Sequence, residues 1–427
     1  MGILETVNGS SGVSPDPRLL NWELTTNSRF IGRQEVRSWK HKLVRVILVS
    51  VLALLIIPFC TAPALAQDRV FLDLSLEFLG EYKLPEINFL NTPVGGLSAI
   101  TYDRRRDRFY AVSDDPSQFA PARFYTLKIA FNPTTAGEIN IQTVDVESVT
   151  YLTDKNGQTY PKGTITPKGI ALTPQQTVFI SGYSATDERI APFVQEFDIN
   201  GKMLQSLPVP ERYIPDAVDE RTKGIQNNLA FESLTFNFSG TIPSSGEPIN
   251  LFTATESALV QDREPPSSEK GAKSRLLHYL IGYGPPVLIA EYFYPLEPTP
   301  SDAMLNGLVE LLSVDRGGHF LSLERSKGQL GFSEKIFQSA TGGATDTSRI
   351  DSLKGEIRGI RPIKKKLLLD LNELGIPLDN LQGMTLGPRL KDGTQSLLLV
   401  SDNNFNDQQP TQLLLFRLNT KSRVNPL

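Results

Sequence analysis

The sequence holds little of what most enzymes use for nucleophilic or metal chemistry. Among 427 residues there is one cysteine, Cys60, and it lies within an apolar run. Residues 67–427 therefore offer no thiol for a disulfide, a thiolate ligand or a cysteine nucleophile. Histidine is nearly as scarce, with only His278 and His319 beyond residue 66. A serine hydrolase needs a base beside its nucleophile, usually on a G-x-S-x-G elbow, and that elbow does not occur. P-loop, G-x-G-x-x-G and H-E-x-x-H patterns are absent too, which argues against nucleotide cofactors and zinc proteolysis. Both tryptophans, Trp22 and Trp39, fall near the start of the chain.

Only one long hydrophobic run is present, Val46–Ala66, following the basic stretch "RSWKHKLVR" and closing on Ala64-Leu65-Ala66. This three-part order reads as a secretory signal cleaved after Ala66, directing the protein to the periplasm or the outside. A membrane anchor through residues 44–66 is the alternative; Pro58 and Pro63 interrupt the run, leaving it short of the roughly 20 residues a spanning helix needs. Residues 1–35 are polar and unpatterned, so a start near Val36 would give a signal of ordinary length. Without residues 1–66 the chain keeps 36 basic against 43 acidic residues, so no nucleic-acid partner is expected. No stable membrane span is expected after cleavage, and the protein is expected to be a monomer.

From Gln67 onward the apolar residues come in runs of four to eight, rich in Val, Ile, Leu, Phe, Tyr and Thr and separated by Gly, Pro, Asn and Asp. This is strand-and-turn punctuation, and it predicts an all-β domain over 67–427. The best helical candidate is a turn at Asp370–Gly375. One unit recurs: apolar strand, turn, second apolar strand, then Ser or Thr with an acid. It opens near residues 96, 169, 232, 308 and 383. Hairpins that cannot bury both faces alone can do so when set radially, which predicts a β-propeller. Division by size suggests six blades of about 60 residues, against roughly 40 to 50 in compact repeats. The sixth is expected between Tyr125 and Leu152, or closed by the N-terminal strand "VFLDLSLEFLGEYKL" joining the final one. Polar insertions are expected at Asp262–Ser274 and Ser339–Ile360. A pair of β-sandwiches with a break near Glu211–Asn228 is the competing architecture.

Several of these segments together resemble a family. They are Gly95-Gly96-Leu97-Ser98 with "RFYAVSDD", "ARFYTL" at Ala122, "NLAFESLTF" at Asn228, "TATES" at Thr253, "EYFYPLE" at Glu291, "LERS" at Leu323, and "LDNLQGMTLGPRL" with "SLLLVSDNNF" up to Phe405. From about Leu84 the chain resembles the phytase-like proteins described as having esterase-like activity, exported bacterial β-propellers. The resemblance implies a hydrolase, without implying a Ser-His-Asp triad.

Acids recurring at equivalent places in a propeller converge on one mouth. Asp114, Asp115, Glu256, Glu324 and Asp402 occupy the slot after a strand, and Glu232 and Glu310 interrupt a blade's first strand. Crowded carboxylates must be protonated, paired or neutralised by a cation. An oxygen-only donor set suits Ca²⁺, which predicts Asp114, Asp115, Glu232, Glu256, Glu310 and Asp402 as ligands. Glu232 and Glu310 are the expected catalytic carboxylates, acting with metal-activated water on a small anionic ester or phosphoester held by Arg123 and Arg325. A non-catalytic, ligand-binding propeller with structural calcium is the alternative. Lys168 and Gln382 stand where the resemblance leads one to expect an acid.

Overall fold

Short runs of β-branched and aromatic residues pair into five antiparallel four-stranded sheets. The computed structural model describes residues 70–420, apart from 134–138, 187–188, 217–220, 238–246, 266, 302 and 330. The expected signal and its cleavage site, the start near Val36, Cys60 and both tryptophans lie outside the described residues.

Blade 1 comprises Leu97–Asp103, Arg108–Ser113, Arg123–Pro133 and Ile139–Tyr151, innermost strand first. Blade 2 follows with Ile165–Leu172, Thr177–Thr186, Arg189–Asp198 and Met203–Ser206. Blade 3 is Phe231–Phe236, Ile249–Thr255, Lys273–Ile281 and Val287–Pro295. Blade 4 is Ala303–Ser313, His319–Gly328, Gly331–Ala340 and Lys364–Asp370. Blade 5 takes Leu381–Arg389, Gln395–Ser401 and Thr411–Thr420, and its outermost strand is the N-terminal Leu74–Leu84.

The fold is thus a β-propeller of five blades, not six. Tyr125–Leu152 supplies the long outer hairpin of blade 1, and the N-terminal strand completes blade 5 instead of founding another. The five recurring openings in the sequence already marked the five innermost strands; insertions inflated the residues per blade. Glu211–Asn228, the proposed break between sandwiches, links blades 2 and 3 through a 3₁₀ turn at Glu211–Tyr213 with Tyr213 buried.

Burial follows position in the ring. Ile165–Leu172 and Phe231–Phe236 are buried at every residue, because an innermost strand is covered by neighbouring blades and by the axis. Met203–Ser206, at an outer edge, alternates between half-buried and exposed. Each pair of adjacent blades shares its own hydrophobic cluster. Phe109 and Tyr125 meet Leu398 and Leu413 between blades 1 and 5. Tyr110 and Phe124 meet Ile180 and Phe193 between blades 1 and 2, and Phe179 meets Leu251 and Leu277 between blades 2 and 3. Phe252 and Tyr294 meet Phe320 between blades 3 and 4, and Leu321 meets Met384 and Leu397 between blades 4 and 5. With five such interfaces the ring closes on itself.

Both predicted insertions are present, and each is pinned by buried charge. Arg275 is fully buried and pairs with Asp262 at 2.6 Å and Glu291 at 2.5 Å, and Arg212 reaches Glu291 at 3.0 Å. The segment after Ala340 lies across this cluster: the Thr347 N–H donates to the Glu291 carbonyl at 2.7 Å, and the Leu353 N–H to Asp262 Oδ1 at 2.6 Å. The expected turn at Asp370–Gly375 is a 3₁₀ turn over Leu371–Leu374, capped by the Asp370 carboxylate and ended by Gly375 at φ +70°.

Candidate functional site at the axial mouth

Every innermost strand slips register at one corresponding place. The slips fall between Leu97 and Ala99, Pro167 and Ile170, Phe231 and Ser233, Leu308 and Glu310, and Leu381 and Gly383. Such bulges re-aim side chains. Ser98, Lys168, Glu232, Val309 and Gln382 occupy them; the side chains of Lys168, Glu232 and Gln382 are delivered to one end of the axis, while the Ser98 hydroxyl donates to the Lys168 carbonyl at 2.8 Å.

Lys168 is the hub. Its Nζ lies 3.3 Å from Asp114 Oδ2 and 3.6 Å from Glu232 Oε2, joining blades 1, 2 and 3. Burial pulls the ammonium pKa down, but the charges of Glu232 and Asp114 outweigh it and hold Lys168 above the ordinary lysine value. Glu232 itself is buried, and that burial raises its pKa to about 8 despite Lys168. Glu232 therefore holds its proton to a higher pH than an ordinary carboxylic acid. Glu232 Oε1 is buried and has no partner.

The opposite side of the mouth is held by Arg325, whose guanidinium donates to Glu256 Oε1 at 2.9 Å and to Asn380 Oδ1 at 2.5 Å. Gly307 makes this possible, since a Cβ there would stand 2.4 Å from Glu256 Cγ. Asp402 Oδ2 accepts from Gln382 Nε2 at 3.3 Å and Asn380 Nδ2 at 3.4 Å. Burial, and secondarily the charge of Asp114, lifts the Asp402 pKa to about 7. Gln382 Oε1 is a second buried acceptor without a partner.

Glu310 lies beside the axis but not among these groups. Its Oε1 accepts the Leu311 N–H at 2.9 Å, and the backbone N–H groups of Met384 and Leu234 face it closely enough to favour its charged form, so inner strands of blades 3, 4 and 5 converge on one carboxyl. Burial raises its pKa well above the usual carboxylate range against those bonds. Beyond it, toward the other end of the axis, lies a cavity of about 200 Å³ lined by side chains such as Ile170, Leu234 and Met384.

Three expected site residues lie elsewhere. Arg123 and Asp115 are fully buried as a pair at 2.7 Å. Asp115 accepts N–H bonds from Gln118, Phe119 and Ala120, while Arg123 donates to Tyr125 Oη and to the carbonyls of Pro93, Ala120 and Pro121. Their charges build the loop after blade 1's second strand and do not reach a ligand. Glu324 is engaged by Lys365 at 2.5 Å and by the Tyr294 hydroxyl at 2.8 Å. Asp114, Lys168, Glu232, Glu256, Arg325 and Asp402 do gather. Asn380 joins them without having been anticipated; the only sequence sign is its place just before the last innermost strand.

The histidines have local duties. His278 Nε2 bonds Asn250 Oδ1 at 2.9 Å, with burial lowering its pKa to about 4, and His319 pairs with Asp315 in a turn. A calcium ion asks for six to eight oxygens. Here Lys168 and Arg325 already engage three of the mouth carboxylates, and among the described residues no three His, Cys, Asp or Glu side chains are grouped so that they could hold a metal ion. The residues present do not fit a calcium ion.

Among solved structures, the chain is similar to a putative glycoside hydrolase from Parabacteroides distasonis, over 81% of this chain and 98% of that one, at 12% identity and a TM-score of 0.38. It is also similar to the catalytic domain of an α-L-arabinofuranosidase from Coprinopsis cinerea, over 82% and 98%, at 12% identity and a TM-score of 0.35. No curated relative matches the chain. The family model for phytase-like proteins, described as esterase-like activity of phytase, matches residues 92–405, a span holding all five innermost strands and every residue of the mouth. By that match the chain belongs to the phytase-like family.

Proposed function

We propose that this is an exported hydrolase that cleaves an uncharged ester at the axial mouth by side-chain acid–base catalysis. Export rests on the signal-like run at Val46–Ala66. The single observation that carries the chemistry is Glu232, buried and presenting an oxygen with no partner beside Lys168 and Asp114, where burial raises its pKa to about 8. Carboxyls whose environments drive their protonation apart divide naturally into acid and base.

In this reading Asp114, the more accessible carboxylate, takes a proton from water, and the hydroxide attacks the acyl carbon. Lys168 stabilises the oxyanion that develops. As the acyl C–O bond breaks, Glu232 gives its proton to the departing alkoxide. The proton on Asp114 then passes through solvent to restore Glu232, and the products are an acid and an alcohol. The mouth has no surplus positive charge, since Lys168 and Arg325 face four carboxyls, and this favours a neutral ester over a phosphoester.

The test is turnover of p-nitrophenyl acetate and p-nitrophenyl phosphate, each with calcium and with EGTA. Acetate hydrolysis indifferent to EGTA is expected. Calcium-dependent turnover of the phosphate would restore the metal reading. No turnover of either would favour a ligand-binding propeller, a reading that draws on the mutual neutralisation already present in the mouth.

A further inference from the structure

Two aromatic rings stand at the edge of the mouth in a setting that neither core packing nor turn chemistry explains. Phe119 and Phe405 stack with ring centres 4.5 Å apart and planes 29° from parallel, and Phe119 remains 52% exposed. Phe405 adjoins the proposed catalytic carboxylate. A Cβ placed on Gly96 would meet Phe405 Cε2 at 2.6 Å and Asp114 Oδ1 at 2.7 Å, so ring and carboxylate share the space above one glycine. The Gly95-Gly96 pair that opens the first repeat is therefore the seat of this ring.

Both rings are held by rigid loops. Asn404 and Phe405 have φ of +48° and +52°, a left-handed conformation that a bulky L residue avoids, and Ser117 in the Phe119 loop has φ +60°. Strain of this kind persists where surrounding structure over-determines it, and it gathers at ligand-binding places. Here each loop is built on a buried acid. Asp402 Oδ1 accepts the Asn404 N–H at 2.7 Å, and Asp115 receives the Phe119 N–H at 3.1 Å. Below the stack, the Arg123 guanidinium lies 5.9 Å from the Phe405 ring centre, a cation–π contact. The ion pair of Arg123 and Asp115 thus supports a shelf.

We infer that Phe119 and Phe405 form a stacking shelf at the rim of the axial mouth, so that the favoured substrate is an uncharged ester carrying a flat-faced six-membered ring beside its scissile bond. The inference rests on the hydrolase reading of the mouth and adds its substrate class. A rigid aromatic with few rotamers offers contact area at little entropic cost. Gln382 Oε1, buried without a partner, is an acceptor for a hydroxyl of such a ligand.

The test compares phenyl acetate, an acetylated methyl glucoside and ethyl acetate. Phe119→Ala is expected to lower kcat/KM three- to tenfold for at least one of the two ring esters and to leave ethyl acetate unchanged. Which ring suffers tells an aromatic substrate from a sugar. An equal loss on ethyl acetate, or no loss on either ring ester, overturns the shelf. Phe119→Trp gives a readout independent of turnover, because residues 67–427 contain no tryptophan. Its emission, less that of the wild-type chain, is expected to shift on titration with phenol or methyl β-glucoside. A shift without hydrolysis of any ester keeps the shelf while overturning the hydrolase. Silence toward both probes overturns the shelf even if esters are cleaved.

Discussion

Glu232 and Arg123 are both buried ionisable residues, yet they do different work because one keeps an oxygen without a hydrogen-bond partner and the other is fully engaged. Each nitrogen of the Arg123 guanidinium is met by Asp115, Tyr125 or a carbonyl, whereas Glu232 keeps a bare oxygen. Glu232→Gln preserves shape but cannot release a proton, so kcat on an acyl ester is expected to fall about 100-fold or more, with KM little changed, in steady-state kinetics. Arg123→Ala leaves the Asp115 carboxylate buried without its counter-ion, and urea denaturation is expected to register a loss of about 3–5 kcal/mol. Residue type alone does not separate these cases. An acid after a strand serves equally as a turn former or a site carboxylate, and Asp114 and Asp115 are adjacent examples of each. What distinguishes them is which way the chain leaves the strand, and that depends on Arg123 eight residues later.

At the scale of the element, the innermost strand with its bulge is the unit that makes the site. The five strands were legible as apolar runs opening near 96, 169, 232, 308 and 383; the bulges were not, although Glu232 stood out as a carboxylate interrupting an apolar strand. The sequence did not yield the count of blades, because length per blade absorbs the insertions, and the fit of Leu74–Leu84 depends on a partner more than 300 residues away. That strand pairs from Leu74 with Thr420 to Leu84 with Thr411, bulging between Phe78 and Gly80. It also packs Leu74, Leu76 and Phe78 against the cluster of blades 4 and 5. A chain lacking residues 1–84 would leave Thr411–Thr420 as an unpaired edge. It is expected to lose upward of ~3 kcal/mol and to aggregate, and a synthetic peptide of residues 70–86 added in trans is expected to raise its melting temperature. No recovery with the peptide would show that the strand is dispensable to closure.

The whole molecule gathers buried acids around its axis, and that collects their protonation into one pH response. Burial raises the pKa of Glu232 to about 8 and of Asp402 to about 7, and it lifts Glu310 well above its ordinary value. Unfolded, the same groups titrate near 4 to 4.5. Between those values the folded chain binds more protons than the unfolded one, so stability falls as pH rises. The contribution is whole below about pH 4 and is lost as pH passes through 7 to 8, at up to about 1.4 kcal/mol per pH unit for each group. Residues 67–427 also carry a formal charge of −7, which adds self-repulsion in the same direction. Unfolding free energy measured in urea from pH 5 to pH 8 is expected to decline steadily, and the double variant Glu232→Gln, Asp402→Asn is expected to flatten the decline and to exceed the wild type at pH 8. Calcium separates this account from a metal-filled mouth. A mouth neutralised by Lys168, Arg325 and protons gains nothing from the ion, so the pH 8 stability is expected to be the same in millimolar calcium and in EGTA. If calcium restored the stability lost at pH 8, and the double variant abolished that restoration, the carboxyls would be metal ligands and the proton-based site would fail.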